Sequence, residues 1–542
     1  MAGHYERLSS LDASFLALES ATTHMHVAGI AIFEAGPLQR ADGGIDIDRI
    51  RAFIESKLSM IPRYRQRLAF VPFERHPVWV DDAHFNLEYH IRHTSLPEPG
   101  TEAQLRSLAA RLVSQQLDRA KPLWELNVVE GLEDDRFAIV SKIHHCMIDG
   151  IAGVDLLAVI LNLMPVSEIE PAEPFVPRPE PAGSELVVRE TARRVGRVVG
   201  AARSVRTLVS DAQEITGQVL RRARAVGYSL SSGWLTRAPK TPINDKVTPN
   251  RRFAVLDTDL AEVKEIKNRL GGTVNDVILA TVAGGIRRFF EEVHDFRVAD
   301  AGHFRAMAPV SVRPKHADSA LGNHVAMWLV SLPITVSDPA ERLARVAEET
   351  NKLKLTDQAL GASTLVQIST GAPATLLSLA SRLAQNARPF NLTVTNVPGP
   401  QFPLFMLEAP LVAQYPLVPL WESHGVGIAL FSYLGRVFWG FNADWDVMPD
   451  VDEFVRCIDE AFGELLEAAR SADTAIVGER APARKPKSRP PLGGSGAKPR
   501  PRPPLDAEPA ASAGSVAPTA EKPASKGTQR AKKAPAKQAK AK

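Results

Sequence analysis

Cysteine is almost absent from this 542-residue chain, with Cys146 and Cys457 its only two. Two thiols so far apart build no disulfide framework, and a reducing compartment is expected. Long apolar runs are missing as well. The longest, Ile151 to Met164, is 14 residues, contains Asp155, and falls short of the roughly 20 residues that span a bilayer. The opening residues MAGHYERLSSLDASF carry charges where an export signal needs an apolar core. A cytoplasmic chain is expected, with membrane contact no more than peripheral, at an inner membrane or lipid-droplet surface. Also missing are a GxSxG nucleophile elbow, an HExxH or paired-cysteine metal pattern, and a short tandem repeat. These absences argue against a serine-hydrolase elbow, a metal centre and a solenoid.

The material for a core is present. With 44% apolar and 23% charged residues the composition is that of a globular protein, and the length suits two folded lobes with an extension. The net charge of +3 conceals an asymmetry, because residues 481–542 hold 15 Lys/Arg against 3 Asp/Glu and leave 50 against 59 upstream. That tail, rich in Pro, Ala, Lys and Gly, buries too little apolar surface to offset its chain entropy. It also lacks aromatic residues for base stacking, so no specific nucleic acid is expected as a partner.

Four segments follow. Residues 1–165 read as a first α/β or α+β lobe, residues 166–240 as a Pro-rich linker and basic crossover helix, 241–475 as a second lobe, and 476–542 as a disordered basic tail. In the first lobe His26 to Glu34 and Phe137 to His145 have the β-branched content of strands. Thr101 to Leu117 places Leu105, Leu108, Leu112 and Leu117 at helical spacing, and Asp149 with Gly150 opens an apolar helix through Leu163. From Leu186 to Arg224 the valines at 188, 195, 198, 205 and 209 follow a helical stripe amid nine arginines, with a break expected near Gly200 or Gly217. The stripe suits packing on the protein body, with solvated arginines; an anionic membrane surface is the second reading. In the second lobe Arg252 to Leu256, Val325 to Leu332 and Arg436 to Phe441 read as strands. Asp450 and Glu453 form a capping-box pattern before a helix carrying Phe454, Ile458, Phe462 and Leu465 on one face.

The chemistry centres on His144-His145-Cys146-Met147-Ile148-Asp149-Gly150, where a strand ends and a helix begins. Alternation along the strand puts His145 on the face of Ile139, Ser141 and Ile143, and His144 on the other. Histidines pointing opposite ways do not chelate one ion, so a metal-free site is expected. A histidine kept neutral at a strand end accepts a proton near neutral pH. Acyl transfer to an alcohol needs such a base, since the hydroxyl attacks only as its proton leaves. Cys146 is a rival nucleophile beside a histidine, but adjacent strand residues seldom join side chain to side chain, and packing is the expectation.

HHxxxDG is the signature of the coenzyme A-dependent acyltransferase superfamily. Over about residues 5–470 the chain resembles the bacterial wax ester synthase/diacylglycerol acyltransferase family. SSLDASFLALES with MHVAGI, PVWVDDAHFNLEYHIRH, KPLWE, HHCMIDG, TVNDVILA, PVSVRP with GNHVAMWLVSLP, and TNVPGP carry the resemblance in order. It implies two chloramphenicol-acetyltransferase-like lobes, each a mixed sheet with flanking helices, and an active-site tunnel between them. It implies His145 as the general base, with His144 auxiliary, and Asp149, beside Gly150, pairing with an arginine to hold the histidine loop. Arg313 is the expected partner, and a helix N-cap is the alternative role of Asp149.

Asn275 and Asp276 match the family's ND motif. Asn275 suits oxyanion stabilisation, and helix capping is an equal reading for the pair. Glu19 sits where the family carries a glutamate important to activity. Pro122, Leu123 and Trp124 match the family's PLW element and are expected to wall the acyl channel, although Trp124 by type belongs in a core. Asn396 of TNVPGP joins the channel set, with Thr395 where many members carry serine. The implied reaction moves an acyl group from acyl-CoA, a co-substrate with no further cofactor, to diacylglycerol or a long-chain alcohol. Two rivals keep the fold: a carrier-protein-fed condensation or polyketide-lipid acyltransferase, and a noncatalytic lipid-binding or droplet protein.

Overall fold

Runs of β-branched residues alternating with amphipathic segments produce two mixed sheets with helices against them. A computed structural model describes residues 5–147, 159–208, 236–311, 325–355 and 388–478. The first half runs β1 (Glu6–Arg7), α1 (Ser10–Leu18), β2 (His26–Glu34), α2 (Ile47–Lys57), β3 (Gln66–Phe70), β4 (Pro77–Asp81), α3 (Leu87–His90), β5 (Ile91–Ser95), α4 (Glu102–Val113), β6 (Trp124–Leu132) and β7 (Arg136–His144). After the linker comes α5 (Gly183–Leu208). The second half runs β8 (Arg251–Asp259), α6 (Leu260–Leu270), α7 (Val274–Arg288), β9 (Arg305–Ser311), β10 (Val325–Ser331), α8 (Pro339–Leu355), β11 (Leu392–Pro398), β12 (Phe405–Met406), β13 (Ala409–Leu417), β14 (Val426–Tyr433), β15 (Arg436–Asp444) and α9 (Val451–Gly478).

The first sheet has the order β12-β13-β2-β7-β6-β5 and the second β10-β9-β11-β14-β15-β8, while β1-β4-β3 form a small third sheet. Each large sheet mixes parallel and antiparallel pairs. The sheets do not respect the lobe boundary read from the sequence. Strands β12 and β13, from the second half, complete the first sheet, with β13 antiparallel to β2. The first core accordingly joins Ile32, Phe53, Trp124 and Phe137 to Tyr433 and Phe438. The second core lies under α7 and α9, where Phe289, Trp439, Phe441, Phe454 and Ile458 meet. Gly285 permits the close approach of those helices, since a Cβ there would overlap Ile458.

Several expectations hold in detail, and others need correction. β2 has the bounds read from the sequence, and α4 starts on a capping box in which Thr101 and Gln104 exchange bonds. The helix expected from Asp149 to Leu163 lies mostly outside the described residues, and it has ended before Asn162, which bridges to Phe405. The crossover helix runs unbroken through Gly200, while Gly217 lies outside the described residues. Its valines at 188 and 195 do not pack on the body but are exposed; among its described side chains, Leu186 and Glu190 are buried. The Asp450–Glu453 box does not form, because Asp450 faces His294 at 3.0 Å and Glu453 pairs with Arg456 at 2.8 Å. The Pro-rich linker is anchored to the first lobe: Arg178 grips Asp81 at 2.7 and 2.9 Å, and Phe175 packs on Phe85.

Candidate active site

β7 pairs with β2 so that His144 stands opposite His26, and the strand ends there. His145 begins a short 3-10 turn through Met147 rather than extending the strand. Its backbone N–H donates to the Met25 carbonyl at 2.8 Å, which ties it to the residue entering β2. Its ring stacks on Phe15 of α1, with centroids 3.9 Å apart and an interplanar angle of 22°. The two histidines differ in surroundings, for His144 is fully buried and His145 only partly so.

Burial pushes the His145 imidazole down to about 4; its own carbonyl opposes this, and neighbouring His144 reinforces it. At neutral pH the ring is therefore unprotonated and able to take a proton. Its Nδ1 is buried and has no partner among the described residues.

His144 faces an acidic neighbour. Its Nδ1 accepts from the Cys146 backbone N–H at 3.2 Å, so its proton sits on Nε2, 3.6 Å from Glu19 Oε1. Glu19 also accepts from Arg119 at 2.5 and 2.9 Å and from the Met25 N–H at 3.4 Å. Burial alone would raise the Glu19 carboxyl, but His144 and then Arg119 bring it down to about 2. Glu19, which passes as surface charge in the sequence, has a side chain only 1% exposed and joins α1, β7 and the loop before β6. Cys146 is buried, and burial raises its thiol well above the usual range, so packing and not thiolate chemistry is its part.

The strand under the histidines is braced from α4. Lys142 donates to the carbonyls of Leu112 and Gln115 at 3.1 and 2.9 Å and pairs with Glu125 at 3.1 Å. His26 Nε2 meets the Val113 carbonyl at 2.8 Å. Cationic and donor groups at a helix C-terminus satisfy its last carbonyls. From the second lobe, buried Arg251 reaches the Thr22 carbonyl at 2.5 Å and lies 3.4 Å from Asp444, while its N–H donates to Ser114 at 2.8 Å. The loop that carries Glu19 and Met25 is thereby fastened to β8.

The remaining expected residues separate. Pro122 and Leu123 are buried beside the histidine strand, the Leu123 carbonyl accepting from the His144 N–H at 2.9 Å. Trp124 is core: its Nε1 donates to the Tyr64 carbonyl at 2.7 Å and its ring stacks on His90. A channel-wall role gives way there to packing. Asp276 closes the α7 capping box with Thr273 and accepts from Thr350 at 2.7 Å. Asn275, partly exposed in the same first turn, takes no part in that cap. Asn396 lies partly exposed on β11 beside Leu430 of β14. Neither asparagine is hydrogen-bonded to the histidines among the described residues. Asp149, Gly150 and Arg313 lie outside the described residues, as does any pairing of the two.

Sequence reasoning missed Phe15, Met25 and Arg119. Phe15 lies inside SSLDASFLALES and Arg119 three residues before Pro122, so proximity to the motifs was the signal available. Among the described residues no three His, Cys, Asp or Glu side chains are grouped to hold a metal ion.

A partly exposed neutral imidazole stacked on Phe15, next to a buried His144–Glu19 pair that Arg119 closes, has the form that a general base for acyl transfer requires. Comparison with known proteins agrees. The profile of the wax ester synthase/diacylglycerol acyltransferase catalytic domain matches residues 8–278, and that of the family's C-terminal domain matches 321–466. The chain belongs to this family and is an O-acyltransferase of the wax ester synthase/diacylglycerol acyltransferase type.

Similar chains include two from Mycobacterium tuberculosis (strain CDC 1551 / Oshkosh). The probable diacylglycerol O-acyltransferase tgs1 is 31% identical over 470 residues, 85% of this chain and 96% of that one. MT1809, which has the same activity in its name, is 32% identical over 477 residues, 86% and 91% of the two chains. Among solved structures, the wax ester synthase/diacylglycerol acyltransferase from Marinobacter aquaeolei VT8 superposes with a TM-score of 0.58 at 24% identity, over 86% of this chain and 100% of that one. The starter condensation domain of rhizomide synthetase RzmA, in complex with C8-CoA and Leu-SNAC, gives 0.52 at 13%, over 86% and 95%. Both likenesses concern the fold.

Proposed function

We propose that this enzyme moves a long-chain acyl group from acyl-CoA to diacylglycerol by direct attack, with His145 as general base, and accepts long-chain alcohols in the same place. The acceptor hydroxyl gives its proton to the His145 imidazole as its oxygen attacks the thioester carbonyl. The tetrahedral intermediate expels the CoA sulfur, which recovers that proton, leaving an ester and free CoA. Asn275, at the start of α7, stabilises the oxyanion, and the acyl chain lies in a tunnel between the lobes. The substrates come from a membrane or lipid-droplet surface at which the enzyme is peripheral; among the described residues no helix is long and apolar enough to cross a membrane.

The observation that carries this reading is the state of His145: depressed to about 4, held against Phe15, and partly exposed while its neighbour is sealed. A base must be unprotonated before it can act, and general-base catalysis of this kind contributes roughly 10²–10⁴ in rate. The test is purified enzyme given radiolabelled palmitoyl-CoA with diacylglycerol and hexadecanol in competition. Labelled triacylglycerol with stoichiometric CoA release is expected. Turnover only with acyl groups on a carrier protein, or label bound without ester formation, would overturn the assignment.

A further inference from the structure

The hairpin turn between β3 and β4 holds Phe73 at φ 64°, in the left-handed region that a bulky side chain rarely occupies, and leaves it 96% exposed. Strained backbone combined with a large exposed aromatic marks a place shaped for contact. The turn is built against the start of α5. A Cβ at Gly183 would lie 3.3 Å from Pro72, and Leu186 packs among Val71, Val78 and Val80. Arg7 is shared between Glu74 of the turn, at 2.8 Å, and Glu190 of the helix, at 2.6 Å. Turn and helix therefore form one corner. The side of α5 that meets the body carries Leu186 and Glu190, whereas Val188 and Val195, two turns apart on the outer face, are 67% and 58% exposed. Phe70, at the end of β3, is also exposed.

We infer that this corner, Phe70 and Phe73 with the outer face of α5, docks the enzyme on an anionic phospholipid bilayer. Charge balance selects that occupant. The helix carries six arginines against two glutamates, and Arg75 is exposed beside the turn, a balance that suits anionic headgroups bordering inserted apolar side chains. A protein partner would cover the valines equally well but has no general need of a cationic helix. The inference rests on the reading of the acceptor as a membrane-dissolved lipid, to which docking brings the enzyme close.

A site-specific probe separates this contact from any pull of the basic tail. Both native cysteines are buried, so a single introduced cysteine takes a polarity-sensitive fluorophore alone. Full-length Phe73→Cys, Val195→Cys and, as a control, Leu355→Cys, whose native side chain is 88% exposed in the second lobe, are labelled and mixed with vesicles. The vesicles are phosphatidylcholine with or without phosphatidylglycerol. Emission at positions 73 and 195 should shift to the blue and rise several-fold with phosphatidylglycerol, while position 355 stays unchanged. No shift at 73 and 195, or an equal shift at all three, overturns the inference. Turnover of dissolved octanoyl-CoA and hexanol by unlabelled enzyme is followed in parallel. Turnover without a shift refutes docking alone, whereas a shift without turnover supports docking and counts against the catalytic reading.

Discussion

Three histidines of depressed basicity should set the acid limit of this enzyme. Burial holds His76, His90 and His145 neutral, each brought down to about 4 from an ordinary 6.5. The unfolded chain takes up these protons as the pH falls through 6.5, and the folded chain only near 4. Between those limits the unfolded state binds more protons, so stability declines with falling pH; above 6.5 the three have no effect, and below 4 they take nothing further. At about pH 5 each costs roughly 2 kcal/mol, hence roughly 6 kcal/mol together, against a usual total of about 5–15 kcal/mol. Burial brings His424 down to about 4 as well, although both its nitrogens face carbonyl oxygens, at 2.7 and 2.9 Å, that oppose the shift, so it adds to the loss in the same direction.

The fold should therefore open cooperatively near about pH 5, before His145 itself is titrated in the folded enzyme. Near-ultraviolet circular dichroism and turnover, followed together at constant ionic strength, should collapse at the same pH. Persistence of the dichroism to about pH 4, or a one-proton loss of activity near about 6.5 with the fold intact, would refute the reasoning.

Other substitutions divide positioning from packing. Glu19→Gln keeps the shape but removes the charge between His144 and Arg119; it should cost about 1.5–2 kcal/mol in urea unfolding, since half-exposed Arg119 can turn to solvent, and slow turnover, and an unaltered midpoint would contradict the geometry. Asn275→Ala should lower kcat about 10²-fold at unchanged stability. Its neighbour gives the reverse pattern, since Asp276→Ala loses a cap worth about 1–2 kcal/mol, and urea midpoints with kcat distinguish the two. Arg251→Lys keeps a charge opposite Asp444 but cannot serve the Thr22, Thr248 and Asn250 carbonyls together. It should lower kcat by loosening the loop under His145 while destabilising less than Arg251→Met, and equal melting of the two variants would count against that role.

Local order was legible wherever local physics decides it. β-branched runs gave β2, and apolar spacing gave α4 and the buried face of α9, because period and propensity are properties of neighbouring residues. The transfer of β12 and β13 into the first sheet was not legible, since strand partners far apart in sequence are chosen by tertiary packing. The same distance hid the site's support. Glu19 meets Arg119 100 residues on, and nothing adjacent to either residue announces the pair. Asp450 and Glu453 show the converse failure, a good local motif overridden by His294 and Arg456. His145 was legible because a strand end, a doubled histidine and a following turn are all local. Its depressed basicity was not, for that comes from burial, to which the stacked Phe15 ring belongs, and from His144.

The most direct measurement is single-turnover acyl transfer by His145→Gln, with the fold verified by its urea midpoint. Gln preserves hydrogen bonding but has no basic nitrogen, so the rate of ester formation should fall by roughly 10²–10⁴ while acyl-CoA affinity is kept. A folded His145→Gln enzyme that forms ester at the native rate would show that the imidazole does not take the proton.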